Sequence, residues 1–170
     1  MKVLLRVARI LALVYIGLTV FLAACQNKLL YPASRDEPAL LLKTAELEGL
    51  APWKDPSGTI IGWHTKNASA QRRIVVFHGN AGYALHRTYY TEALSRLGWQ
   101  VYLFEYPGYG ARDGSPGRAA FVSTGRAALE QLLAEDQRPL YLLGESIGSG
   151  TACSLAAALP RNVQARSDAR

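Results

Sequence analysis

Five residues carry most of the chemistry open to this chain of 170 residues: Gly144-Glu145-Ser146-Ile147-Gly148. A serine flanked by glycines two positions away on each side is a weak signal alone. At ordinary residue frequencies a chain of this length shows one by chance about once in twenty. Its setting changes the odds. The apolar run Leu140-Tyr141-Leu142-Leu143 precedes it, and a stretch rich in small residues, Ile147 to Leu159, follows it. A sharp strand-to-helix turn there would lift the Ser146 hydroxyl clear of a sheet at the positive end of a helix. A Cβ at 144 or 148 would crowd such a turn. The chemistry on offer is nucleophilic, acyl transfer through a serine ester. A phosphate-binding turn is the competing reading of the same glycines, but no lysine follows Gly148 as a P-loop would require.

Two more glycine-bearing turns follow apolar runs. His78-Gly79-Asn80-Ala81-Gly82 comes after Ile74-Val75-Val76-Phe77, and Glu105-Tyr106-Pro107-Gly108-Tyr109-Gly110 comes after Val101 to Phe104. Ligands of parallel α/β sheets bind beyond the carboxyl ends of the strands, so the three turns are expected at one end of a sheet. His64, His78 and His86 all precede Ser146. His78 ends a strand, His86 begins a helix where it caps or is solvated, and His64 lies on a hairpin. Glu105 and Glu145 are expected to position turns, and Cys153 to be a small core residue. No Cys/His cluster has zinc spacing, so neither a metal nor a cofactor is expected.

The elements that must hold these turns follow from hydrophobic pattern. The continuous runs at 74–77, 101–104 and 140–143 read as strands buried on both faces. Between and after them, helices are predicted over His86 to Leu97, with Tyr90, Ala93, Leu94 and Leu97 inward, over Arg118 to Glu135, and over Ile147 to Leu159. Upstream, Pro38 opens a short helix through Leu47. Asp55-Pro56-Ser57-Gly58 turns an antiparallel pair formed by Ala51 to Lys54 and Thr59 to Thr65. The predicted class is α/β: a mostly parallel sheet with an N-terminal antiparallel hairpin and right-handed crossovers.

Composition agrees with one modest domain: 49% hydrophobic and 19% charged residues exclude wholesale disorder. The net charge of +6 is concentrated at the two ends, in Lys2, Arg6 and Arg9 and in Arg161, Arg166 and Arg170, and the stretch between is near neutral. No basic stripe with interleaved aromatics runs through it, so no nucleic-acid partner is expected.

With its three ordered turns, the sequence resembles the α/β-hydrolase superfamily, specifically its serine-hydrolase branch of esterases and serine aminopeptidase-like members. His78-Gly79-Asn80 resembles the oxyanion turn, Tyr106 to Gly110 the glycine turn after the next strand, and Gly144 to Gly148 the nucleophile elbow. The resemblance implies Ser146 as nucleophile, the backbone N–H groups of Asn80 and Ile147 as the oxyanion hole, and a small-molecule ester or amide as substrate. It also implies a general-base histidine and an orienting acid after the serine. Residues 147–170 hold no histidine, and Asp168 is their one carboxylate. The expectation is a partial hydrolase fold with its later strands missing, inactive in this form. A non-catalytic membrane lipoprotein that uses the fold for binding or structure is the alternative.

The N-terminus reads as an address. Met1 to Arg9 is basic and Ile10 to Ala24 is uncharged, the length of a secretory apolar region rather than a full span. Leu22-Ala23-Ala24-Cys25 resembles the lipobox of bacterial lipoproteins, which implies cleavage before Cys25, lipidation of that residue and a membrane anchor. An ordinary signal peptide and an uncleaved anchor remain open. Gln26, where an Asp would retain a lipoprotein at the inner membrane, favours the outer membrane of a bacterial cell envelope. The expected organisation is thus a signal peptide over 1–24, a tether and N-terminal segment over 25–50, the N-terminal part of the hydrolase domain over 51–160, and a polar tail over 161–170.

Overall fold

A computed structural model describes residues 2–67, 69–159 and 163–168. The chain divides into two compact units, Met1–Tyr31 and Pro32–Arg170. The first is a helix, α1 (Lys2–Leu30), whose apolar residues are exposed along its length. By length and composition it could cross a membrane. It does not stop at Ala24. Cys25 to Leu30 contain neither glycine nor proline, so nothing breaks the helix before Pro32.

In the second unit, α2 (Pro38–Leu47) opens with proline in its first turn, where no N–H is needed, and buries Leu41 and Ala45. Strands β1 (Leu50–Lys54) and β2 (Ile60–Thr65) form the predicted hairpin. Its turn is held by Asp55, whose Oδ1 accepts the N–H groups of Ser57 and Thr59 at 2.9 and 3.0 Å. There follow β3 (Arg72–Phe77), a 3-10 turn (Ala84–Arg87), α3 (Thr88–Ser95) and β4 (Trp99–Phe104). Next come α4 (Arg118–Glu135), β5 (Leu140–Glu145), α5 (Ile147–Ala158) and β6 (Val163–Asp168). Among the described residues the six strands form one sheet in the order β1-β2-β4-β3-β5-β6, antiparallel at β1-β2 and β2-β4 and parallel elsewhere.

Three expectations need correction. Residues 163–168, read as polar tail, form a strand that pairs with β5 in parallel from Leu140↔Val163 to Glu145↔Asp168. An edge strand can be recruited through its backbone alone, whatever its side-chain pattern. Residues 161, 162, 169 and 170 lie outside the described residues. The helix predicted from His86 is a 3-10 turn followed by only eight α-helical residues. Its buried member is Thr91, while Ala93 and Leu97 are exposed. On α4 the inward face is Phe121, Gly125, Ala128, Leu129 and Leu132, with Val122 and Leu133 only half-buried. Gly125 matters because a Cβ there would lie 2.9 Å from Leu155 Cδ1 and 3.3 Å from the Phe77 ring, so its absence lets α4 approach α5 and β3. Cys153, expected in the core, is exposed.

The segment before α2 is laid across the carboxyl end of the sheet. Ala33 bridges Gly82 and Arg35 bridges Gly110, both in parallel. Gly110 N–H donates to Ser34 O at 2.9 Å, Asp36 N–H donates to Gly110 O at 3.2 Å, and the Tyr83 hydroxyl donates to Asp36 Oδ2 at 2.8 Å. That last bond and burial, the larger cause, push the Tyr83 phenol up to about 12.

Candidate active site

Three strands end at one level. Phe77 on β3 is in register with Gly144 on β5 and with Phe104 on β4. The turns 78–82, 105–110 and 144–148 therefore emerge side by side, as the sheet rule demands.

Ser146 caps the N-terminus of α5 at φ 53°, ψ −118°, and among the described residues it is the one non-glycine with positive φ. Such a conformation costs on the order of 1–3 kcal/mol and persists only where its surroundings impose it. Here the flanking glycines make it possible, by letting the backbones of α5 and β3 close in around it. A Cβ on Gly148 would overlap the Phe77 carbonyl and lie 2.7 Å from that of His78, and a Cβ on Gly144 would run into the backbone of Ser149. Ser149 Oγ donates to Gly144 O at 2.8 Å, tying the first helical turn back to the strand. The Ser146 side chain is exposed. The first turn lies against it: a Cβ on Gly79 would sit 3.6 Å from Ser146 Cβ. Asn80 and Ile147, the expected oxyanion donors, thus follow two segments in mutual contact, and Ile147 opens α5, where the helix dipole favours negative charge.

Each of the three histidine rings packs against an aromatic neighbour. His78 is 1% exposed, with Nδ1 2.7 Å from Gly79 O and Nε2 3.2 Å from Glu105 Oε1, and it packs against the Tyr106 and Tyr109 rings. Both nitrogens are engaged in shaping the turn. His64 stacks on Tyr102 in the sheet, and His86 is exposed and stacked on Tyr83 at 3.8 Å. Glu105, buried, also accepts the N–H of Ala84 through both carboxylate oxygens, at 3.2 and 3.1 Å. It joins the first turn to the second, as expected of a positioning residue. Among the described residues no group of His, Cys, Asp and Glu could hold a metal.

Sequence reasoning missed three contributors. Tyr109 O–H donates to Asn80 O at 2.8 Å. Arg87 donates to both oxygens of Glu145, and Tyr89 O–H donates to its Oε2 at 2.8 Å. Burial pushes the Glu145 carboxyl up, but the bonds from Arg87 and Tyr89 outweigh it and hold the group below its ordinary value. Burial, then the bond to Glu145, raises the Tyr89 phenol. No periodicity announces these pairs, which form only when the loop after β3 meets the loop after β4 and the end of β5.

The model of the family described as serine aminopeptidase, S33, matches residues 68–166, which include the first turn, the second turn and the elbow. The chain belongs to the S33 serine aminopeptidase family. An uncharacterized protein of Mycobacterium tuberculosis is 32% identical over 91% of this chain and 57% of its own length. The lysophosphatidylserine lipase ABHD12 of Xenopus tropicalis is 31% identical over 61% of this chain and 28% of its own. In fold, an α/β hydrolase, GrgF of a Penicillium species, superimposes with a TM-score of 0.54 at 16% identity, covering 69% of this chain and 44% of that one. The chain thus spans between about a quarter and three fifths of the length of these curated relatives. The expected fold class, a partial α/β-hydrolase fold, holds.

Proposed function

We propose that this chain carries the nucleophile and oxyanion half of a serine-hydrolase site for a small-molecule ester or amide. The observation that carries the reading is Ser146, exposed at φ 53° on an elbow that two glycines make possible, against the His78-Gly79-Asn80 turn. Ser146 Oγ bonds to the acyl carbon, and the carbonyl oxygen takes up negative charge facing the N–H groups of Asn80 and Ile147. Each such donor contributes about 3 kcal/mol to the transition state. Collapse breaks the bond to the leaving alcohol or amine, which leaves with the serine's proton. Water then attacks the acyl-serine and releases the acid. Both ring nitrogens of His78 are already engaged, by Gly79 O and Glu105 Oε1, and residues 147–170 hold no histidine. The name of the ABHD12 relatives supports a lipid ester within the substrate class.

A fluorophosphonate probe tests this. The full chain is expected to be labelled slowly at Ser146 and to show no sustained turnover of a soluble ester. Ser146→Ala is expected to abolish labelling, and His86→Gln to leave its rate unchanged. Sustained hydrolysis that disappears in Ser146→Ala would overturn the inactivity, and labelling that survives Ser146→Ala would overturn the nucleophile. Labelling no faster than that of an ordinary surface serine would favour the non-catalytic module.

The envelope location belongs to the same proposal. Cys25 at the end of the uncharged run supports a lipid anchor in a bacterial envelope, outer membrane favoured. The unbroken course of α1 to Leu30 supports an intact helical anchor instead. Intact-mass measurement of the chain expressed in a bacterium separates them. A lipoprotein begins at an acylated Cys25, and Cys25→Ala is then released by washing. A full-length N-terminus on protein that stays membrane-bound in Cys25→Ala would overturn the lipid anchor.

A further inference from the structure

We propose that Arg87 is a positioning residue of this site, its ion pair with Glu145 fixing the distance between the Gly79–Asn80 and Ser146–Ile147 segments, which carry the two oxyanion donors. The inference rests on the Ser146 reading and goes beyond it, since Arg87 touches neither substrate nor nucleophile.

The pair has two-point geometry. Arg87 Nη2 donates to Glu145 Oε1 at 2.9 Å and Nε donates to Oε2 at 3.3 Å, while Tyr89 O–H occupies Oε2 from the other side. Both carboxylate oxygens are therefore held, and the arginine side chain is only 12% exposed. A planar fork of this kind sets direction as well as distance. Glu145 is the residue before the strained serine, so pinning its side chain limits how the elbow can rotate.

The other face of the guanidinium meets the first turn. A Cβ at Gly82 would come within 2.8 Å of Arg87 Nη1, and one at Gly79 within 3.4 Å of Nη2 and 3.0 Å of Glu145 Oε1. The backbone at Gly79 and Gly82 therefore lies close against the ion pair, where an added Cβ would crowd it, at Gly82 together with the His86 ring. One donor segment leans on the arginine and the other is anchored by its partner, so the pair is the spacer between them. The two opposite charges largely cancel at the oxyanion. The contribution is then one of placement rather than of field.

That distinction makes the idea testable, because lysine keeps the charge and loses the fork. In the full chain in detergent micelles, Arg87→Lys and Arg87→Gln are both expected to shift the ¹H–¹⁵N resonances of Asn80 and Ile147 while leaving the distant Gln137 amide in place. Both are expected to lower the saturating rate of fluorophosphonate labelling about tenfold or more, with the half-saturating concentration unchanged, as for loss of an interaction made only in the transition state. Tyr89→Phe removes one hydroxyl from a half-exposed residue, so it is expected to fold and to give a smaller change in the same direction. Parent labelling rates in Arg87→Lys would show that charge, not placement, matters, and would overturn the proposal. Unmoved Asn80 and Ile147 resonances in Tyr89→Phe and Arg87→Lys would overturn it as well. If the parent itself is not labelled, the Ser146 reading fails, while the amide resonances still decide the role of Arg87.

Discussion

Gly148→Ala is expected to lose about 3 kcal/mol or more of stability, seen as a fall of about 10 °C or more in melting temperature, together with all labelling at Ser146. The added methyl overlaps the Phe77 carbonyl and lies 2.7 Å from that of His78. Neither atom can move aside cheaply, because Phe77 belongs to a central strand bonded on both sides. Relief would require α5 to retreat from β3, which opens the elbow that forces Ser146 to φ 53°. Gly150→Ala, two residues along the same helix, is the control. Nothing lies within 4 Å of a Cβ there, so the gain in helix propensity, about 0.5–1 kcal/mol, is expected to appear undiminished. Equal effects at 148 and 150 in thermal melts would show that close approach is not what the Gly148 position demands.

Arg73→Ala is expected to cost about 3–5 kcal/mol, read as a lower denaturant midpoint at unchanged slope. Arg73 is 1% exposed, inside the sheet's own core. Its Nη1 donates to Leu132 O at 2.6 Å and its Nη2 to Asp136 O and Arg138 O, each at 2.7 Å. These carbonyls lie at and just beyond the carboxyl end of α4, where a cation also meets the negative end of the helix dipole. Truncation removes a donor from all three carbonyls, of which Leu132 O keeps the Asp136 N–H at 3.2 Å. Arg73→Lys cannot span the same three and is expected to recover only part of the loss. A cost below about 1 kcal/mol for Arg73→Ala would mean that water satisfies the carbonyls and that the buried charge contributes little.

Where burial is dictated by the chain's own pattern, the sequence was readable. The runs at 74–77, 101–104 and 140–143 are apolar on both faces, so they could only be central strands. The helix predicted over Arg118 to Glu135 is α4 residue for residue. The elbow was legible because its two glycines have a steric reason to be there. Legibility failed where tertiary contact outvotes pattern. Tyr90, Ala93, Leu94 and Leu97 have helical spacing, yet the segment begins as a 3-10 turn and Leu97 is 71% exposed, because spacing says nothing about which surface is available to cover a face. Val163 to Asp168 looks like tail because strand pairing at an edge asks only for backbone groups. Nothing in the sequence pattern singles out Arg73 or Arg87. Their roles exist only once the end of α4 and the end of β5 are brought to them.

The residues just after α1 do not trail loosely from the far side of the protein. Ala33 and Arg35 are threaded onto the turns at Gly82 and Gly110. Tension applied to α1 would therefore enter the folded unit at the carboxyl end of the sheet, peeling residues 33–36 from those turns before it reached any strand of the interior. Mechanically, the first thing such a pull would loosen is the seat of the turns at Gly82 and Gly110.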